Sequence, residues 1–294
     1  MLNFFIIFYL YKRTVFDMDE NTVQLKLDKL IKDLSKMTSL LVAFSGGVDS
    51  TFLLAAAHKI MGDKVTAATA VSTIYPSGEL EEAFRFTRER EIKHVRIESD
   101  IISHSEVAAN NADRCYHCKK HICHALKEVA KEKRIAHIAM AANMDDLGDY
   151  RPGMKAAEEE GILSPLLDAE LNKEEIRFLS KEMNLPSWNR QSMACLASRI
   201  PYGSPVTADK LIMIDKAEQF LSDMNFRQYR VRHHGAVARI EVSASDIEKF
   251  AGDSLRMRIV KLFRKIGFDH VALDLEGYVT GSLNRVLKDE GEDV

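Results

Sequence analysis

The chain has 294 residues, enough for about two domains at roughly 150 residues each and for burying about three quarters of its unfolded surface. Hydrophobic residues at 46% and charged residues at 29%, with only 14 Gly and 6 Pro, exclude disordered, collagen-like and low-complexity classes. Lys and Arg number 41 against 44 Asp and Glu, so a net charge of -3 supplies no global field that would draw the protein onto nucleic acid, a disfavoured partner.

Residues 3–10 form an apolar run followed by Lys12 and Arg13. The run is far shorter than the roughly 20 residues of a membrane span, and its charge order is the reverse of a signal peptide's. Residues 1–17 therefore read as an N-terminal extension, an over-called start or a loose tail, and no membrane association is expected. From Thr22 to Met37, Val23, Leu25, Leu27, Leu30, Ile31 and Leu34 recur mostly three and four apart, the pattern of a helix with one buried face. The period then changes: 39–44 is a continuous apolar run of strand length, ending at Ser45-Gly46-Gly47, and 52–60 reads as helix. Strands at 65–71, 94–97 and 135–141 alternate with helices at 78–90 and 119–133, which predicts an α/β fold with a doubly wound parallel sheet and a ligand site at the carboxyl ends of its strands.

A further helix is expected over 170–183, punctuated by Pro186. The densest turn signal, Pro201-Tyr-Gly-Ser-Pro205, marks a boundary between a domain of residues 18–200 and a smaller one of 201–294. Beyond it a helix at 208–224, strands near 229–231 and 236–242, a helix at 245–266 and a strand at 270–275 suggest a small α+β domain with antiparallel strands.

Four cysteines, at 115, 118, 123 and 195, are too few for a disulfide scaffold. Three of them fall within nine positions, which suits metal or redox chemistry in a reducing compartment, the cytoplasm. Ser45-Gly-Gly-Val-Asp-Ser50 sits between strand and helix, where backbone N–H groups and the helix N-terminus can cradle a polyanion. The loop lacks the Lys of a Walker A motif, so it is not a kinase or GTPase loop. A tight turn with a Ser or Asp cap is the plainer account of such a loop.

The loop resembles the SGGxDS signature of the PP-loop ATP pyrophosphatases, with the Rossmann-like fold of the adenine nucleotide alpha hydrolases. The resemblance implies that Ser45, Gly46, Gly47, Asp49 and Ser50 bind ATP and the released pyrophosphate with Mg²⁺, Ser45 and Asp49 acting in catalysis. Three further stretches, 114–119 (Arg-Cys-Tyr-His-Cys-Lys), 143–153 and 194–199 (Ala-Cys-Leu-Ala-Ser-Arg), resemble the LarE-type ATP-dependent sacrificial sulfur transferases. That resemblance implies adenylylation of a carboxylate on a pyridinium dicarboxylate mononucleotide, then replacement of AMP by sulfur, in nickel-pincer nucleotide biosynthesis. Its partners would be that nucleotide and the other enzymes of the pathway, and the family resembles a homo-oligomer, a dimer of trimers.

Cys195 is the sulfur candidate, in a loop with Arg190 and Arg199 near in sequence, since cations favour the thiolate. In the sacrificial chemistry this cysteine becomes dehydroalanine. Alternatively Cys115, Cys118 and Cys195 supply three thiolates for a [4Fe-4S] cluster with one iron open, an arrangement some family members resemble, and the pair's position just before a helix favours it. A zinc site drawing on His117, His121 or Cys123 stays open beside it, although Cys123 reads as structural. Asp145 and Asp146, at the end of a strand, suit Mg²⁺ or nucleotide. Arg230 and Arg232 alternate on a strand and share a face, a fork for phosphate or carboxylate. Glu218 and Glu241 match acidic family positions, and Lys119, Arg151 and Arg199 are further anion contacts. Ala141-Ala142 and Asn189-Arg190-Gln191 depart from the family's usual residues. Rival readings are a tRNA-thiolating PP-loop enzyme, for which charge and an added RNA module are lacking, an amide-forming NAD or GMP synthetase-like ligase, which leaves the cysteines unexplained, and a nucleotide-sensing protein without chemistry.

Overall fold

A computed structural model describes residues 19–148, 152–191 and 194–285. The extension 1–17 and Arg151 lie outside them. Helix α1 (Glu20–Ser35) starts at Asp19, whose carboxylate accepts the Asn21 amide and so satisfies an otherwise orphaned donor. It buries Val23, Leu30 and Leu34. Strand β1 (Leu40–Ala43) is followed by α2 (Val48–Met61), β2 (Val65–Val71), α3 (Ser77–Glu89) and β3 (Lys93–Glu98). A single helical turn, α4 (Ser105–Ala108), precedes α5 (Arg114–Lys133), β4 (His137–Ala139) and α6 (Pro152–Glu159). The four strands form a parallel sheet in the order β3-β2-β1-β4. The order reverses between β1 and β4, and in open α/β sheets ligands bind at such a reversal, outside the carboxyl ends of the strands.

Helix α5 begins five residues before the predicted start, so Cys115 and Cys118 lie within its first turns and not ahead of it. The start is fixed by long-range contacts that periodicity cannot register. Arg114 is 2% exposed and donates to the carbonyl of Ala197 at 3.1 Å and to Asn110 Oδ1. Asn110, at φ 59°, also donates to the carbonyls of Pro201 and Ser204, each at 2.8 Å.

A single turn, α7 (Pro165–Asp168), precedes α8 (Lys173–Glu182), the helix expected over 170–183. Asn172 and Glu175 form a reciprocal capping box that starts α8 three residues later. After the Pro201–Pro205 turn come α9 (Ala208–Asp223), β5 (Tyr229–His234), β6 (Val237–Val242), α10 (Asp253–Ile266) and β7 (His270–Leu273). The expected helix over 245–266 is broken at Gly252, with residues 244–251 in 3₁₀ turns. The expectation of antiparallel strands fails for half of this sheet: β5 pairs antiparallel with β6, but β6 pairs parallel with β7. A crossover through α10 requires that direction.

One core lies between the large sheet and α1, α2 and α8, and another fills the small sheet against α9 and α10. A further cluster crosses the Pro201–Pro205 turn, joining Ile74, Ile101 and Val107 to Leu196, Ile200, Leu211 and Ile214, with Cys118 and Cys195 packed against it. Among the described residues no helix is long and apolar enough to cross a membrane.

Candidate active site

Strand β1 delivers the chain to Ser45. Gly46 adopts φ 79°, and a Cβ there would stand 3.3 Å from Ala83 Cβ on α3, so both its backbone angle and its close approach call for glycine. The hydroxyls of Ser45 and Ser50 lie 3.0 Å apart, and Ser45 Oγ accepts the Gly47 N–H at 3.3 Å. No side chain caps α2 at Gly47, which leaves the first amides of that helix for an external anion.

Asp49 pairs with Lys173, the first residue of α8. Its Oδ1 is buried without a hydrogen-bond partner, and burial raises its pKa, opposed by Lys173 and reinforced by Asp146. Asp145 Oδ2 accepts the Lys173 amide at 2.5 Å, and Asp146 Oδ2 accepts the Asn143 amide at 3.0 Å. Asp49, after β1, and Asp145 and Asp146, after β4, are thus brought together by Lys173, which binds Asp49 through its ammonium and Asp145 through its amide, and by the charge of Asp146 on Asp49. The orphaned Oδ1 beside Asp146 is a hard-oxygen setting that fits Mg²⁺.

Cys195 opens a short 3₁₀ turn whose geometry is heavily constrained. Its carbonyl accepts Ser198 N–H at 3.0 Å, Ser198 Oγ–H at 2.8 Å and Arg199 Nη1 at 3.0 Å, while the Leu196 amide donates to the Ile74 carbonyl at 2.8 Å. Cys115, Cys118 and Cys195, each part-buried, lie within electrostatic reach of one another and of Tyr75. Burial, with the neighbouring Cys195 thiol next in effect, pushes Cys118 up to about 12. Cations face them as well: Arg114 points Nη2 at Cys115 Sγ at 3.7 Å, Lys119 acts on Cys118, and Arg114 and Arg199 both feel Cys195. Arg190, expected near the thiol, instead donates to the Gly46 carbonyl at 3.0 Å and pairs with Glu82.

The expected anion contacts divide. Arg199 is fully buried and forks onto Glu218 through Nε and Nη2 at 2.9 and 2.8 Å, its Nη1 holding the 194–198 turn. Arg232 forks onto Glu241 at 2.8 and 2.7 Å and donates to the Ser198 carbonyl at 2.9 Å. These two pairs act here as braces for the cysteine turn. Arg230 lies beneath the Tyr278 ring, 5.0 Å from its centroid. Lys119 is half-buried on α5, with its Cβ 3.4 Å from where a Cβ on Gly153 would stand. His117 bonds Asp113 and His121 bonds Glu106, away from the thiols, and Cys123 is fully buried in a different core cluster.

Because Arg199 and Glu218 have little solvent to replace either partner, Arg199→Leu should lower folding stability by about 3–5 kcal/mol, as expected when one half of a buried ion pair is left alone. Urea unfolding of the variant checks this; a loss below about 1 kcal/mol would mean the turn is held otherwise.

Sequence reasoning missed Lys173, Arg114 and Glu79. Glu79 lies one turn into α3, where burial raises its carboxyl from 4.5 to about 7 against the pull of Arg190, Arg199 and Arg230. A carboxyl raised in the folded state holds more protons than in the unfolded chain, so stability falls as pH rises from about 4.5 to about 7. Glu79→Gln should remove that slope: the variant gains on the wild type at about pH 8 and converges with it near pH 5 in denaturant midpoints. Parallel pH profiles would exclude a raised Glu79.

A family model for the PP-loop domain matches residues 19–150. Over 258 residues the chain is 34% identical to the pyridinium-3,5-bisthiocarboxylic acid mononucleotide synthase of Lactiplantibacillus plantarum, the match covering 87% of this chain and 92% of that protein. The chain belongs to the LarE family of PP-loop proteins. A Synechocystis protein of undescribed activity is 37% identical, with 89% and 98% of the two chains covered. Similarity to the GMP synthase B subunit of Sulfurisphaera tokodaii is 25% over 64% of this chain and 56% of that one. The match to the mononucleotide synthase covers 87% of this chain, against 64% for the GMP synthase subunit.

Proposed function

We propose that this chain is an ATP-dependent sulfur transferase that adenylylates a carboxylate of a pyridinium dicarboxylate mononucleotide and replaces AMP with sulfur, in nickel-pincer nucleotide biosynthesis. The observation that carries the reading is the segment 74–83. Ile74 binds the cysteine turn, Tyr75 lies in the field of three thiols, and Ala83 packs against Gly46. One stretch of about two helical turns, on the order of 10 Å, therefore joins the anion loop to the sulfur site.

The division of labour follows from the residues. The amides at 46–50 and the hydroxyls of Ser45 and Ser50 receive the pyrophosphate as it leaves the α-phosphorus, and Lys173 holds Asp49 in place. Asp49, Asp145 and Asp146 would hold Mg²⁺, which offsets the phosphate charge when bound. Attack of the substrate carboxylate oxygen on the α-phosphorus forms the acyl-adenylate and releases pyrophosphate. Sulfur then attacks the acyl carbon and AMP departs with the C–O bond pair. Arg114 brings a positive charge to the cysteine site, and Arg230, Lys119 and Arg151 are the candidates for the nucleotide's own phosphate. We place the ATP-using domain at residues 18–200 and the substrate and oligomerisation domain at 201–294, in a cytoplasmic homo-oligomer.

Two sulfur sources share Cys195. Three converging thiols fit a [4Fe-4S] cluster held by Cys115, Cys118 and Cys195, which when bound supplies an open iron for exogenous sulfide. In the alternative, the Cys195 sulfur joins the acyl carbon and its Cβ–S bond then breaks with loss of Hα, leaving dehydroalanine. We favour the cluster because all three cysteines act on Tyr75, and Cys118 lies in reach of both of the others. Anaerobically reconstituted protein should be brown, hold about four irons and turn over repeatedly with sulfide, and Cys115→Ala should bleach it. Colourless, iron-free protein, active once and lighter by about 34 Da at Cys195, would establish the sacrificial route.

A further inference from the structure

On the side of α5 turned towards α4, three donor groups meet that the sulfur chemistry does not use. His104 immediately precedes α4, Glu106 lies in it, and His121 stands on α5 one turn beyond Cys118. The two imidazole rings stack with centroids 3.6 Å apart and planes 14° from parallel. His121 Nε2 is 2.9 Å from Glu106 Oε1, while the second Glu106 oxygen accepts Ser105 Oγ–H at 3.3 Å. One ligand atom from each of the three residues lies within 4.8 Å of the others. The side chains of His121 and Glu106 are 29% and 38% exposed, so an ion has a path from solvent.

We propose that His104, Glu106 and His121 form a binding site for a late first-row divalent cation, with Zn²⁺ as its occupant. Two imidazole nitrogens and one carboxylate oxygen are a donor set that zinc takes readily, with a fourth tetrahedral position left to water. Mg²⁺ and Ca²⁺ want all-oxygen shells, and a thiophilic ion would go to the cysteines instead. The ion would pin α4 to α5. Val107 of α4 and the neighbouring Ile101 belong to the cluster that packs on Cys118 and Cys195, and His121 is about 4.5 Å along the helix axis from Cys118. The site therefore braces the outer wall of the thiol pocket while sharing no ligand with it. Its existence does not depend on the sulfur-transfer reading.

The test titrates zinc alone into the full-length, reduced, chelator-stripped protein against a chromophoric indicator. The wild type is compared with His104→Ala, His121→Ala and His124→Ala, the last a control whose ring bonds Glu160 on another face. Zinc held by the cysteines is common to all four and cancels. Wild type and control should bind one more equivalent than the other two variants. With cobalt(II), the equivalent that His121→Ala loses should show ligand-field bands and no sulfur-to-cobalt charge transfer. Should the alanine variants fold poorly, Glu106→Gln provides the second reading: the zinc-dependent rise in Tm of the wild type should shrink in it at equal zinc. Equal stoichiometry in all four proteins, a charge-transfer band on the lost equivalent, or an unchanged zinc-dependent rise in Glu106→Gln would overturn the proposal.

Discussion

Replacing Cys195 by Ala should reduce sulfur transfer by on the order of 10³-fold or more, since Cys195 is a cluster ligand in one route and the sulfur donor in the other. Pyrophosphate release with ATP and the pyridinium nucleotide should persist in the same variant. The separation is expected because Ser45 pairs with Ser50 and Asp49 with Lys173, partners that the substitution at 195 leaves in place. The turn itself should stay in place, because its backbone is held by Ser198, Arg199 and Ile74 through main-chain atoms that an alanine at 195 keeps. Paired assays of pyrophosphate and of thiolated nucleotide distinguish the steps. Equal loss of both activities would mean that Cys195 is needed to build the nucleotide site.

The complementary result is expected at Asp49. Asp49→Ala removes the carboxylate with the orphaned oxygen and frees Lys173 from its partner. ATP cleavage should fall by about 10²–10³-fold, the scale seen when one group stabilising developing charge is removed. Asp49→Asn tests the charge with the shape kept: Lys173 retains an acceptor, yet neither oxygen of a carboxylate remains for Mg²⁺. Its loss should approach that of Ala. Full activity in Asp49→Asn would exclude metal binding through this residue, and release of ADP in place of AMP from the wild type would refute cleavage at the α-phosphorus.

Much of this site could be read from the chain because its parts are local. Strand β2 occupies the predicted 65–71, an uncharged run of Val, Ala and Thr whose first five residues are buried in succession, as in a strand covered on both faces. The glycine loop was legible for the same reason, being six consecutive residues between a strand and a helix. What escaped is long-range. Lys173 reaches Asp49 across 124 positions, and nothing in the spacing of α8 marks it. Arg114 sits beside Cys115 in sequence, yet its role depends on Asn110 holding the Pro201–Ser204 turn. The alternation of Arg230 and Arg232 was visible, but not that Glu241 lies opposite on β6 and occupies the Arg232 fork. The parallel β6–β7 pair was missed because the crossover helix between them looks, in sequence, like any other helix.

On the reading proposed above, the anion loop and the cysteine turn serve one substrate, a carboxylated pyridinium nucleotide, in successive steps. The most direct measurement is mass spectrometry of the nucleotide after anaerobic incubation of the purified protein with ATP, Mg²⁺ and the pyridinium dicarboxylate mononucleotide, with sulfide supplied, alongside AMP quantification. The account predicts a product in which sulfur replaces one carboxylate oxygen, formed with one AMP for each sulfur transferred. An unaltered nucleotide, with AMP formed only when tRNA is present and sulfur found on the tRNA, would contradict it.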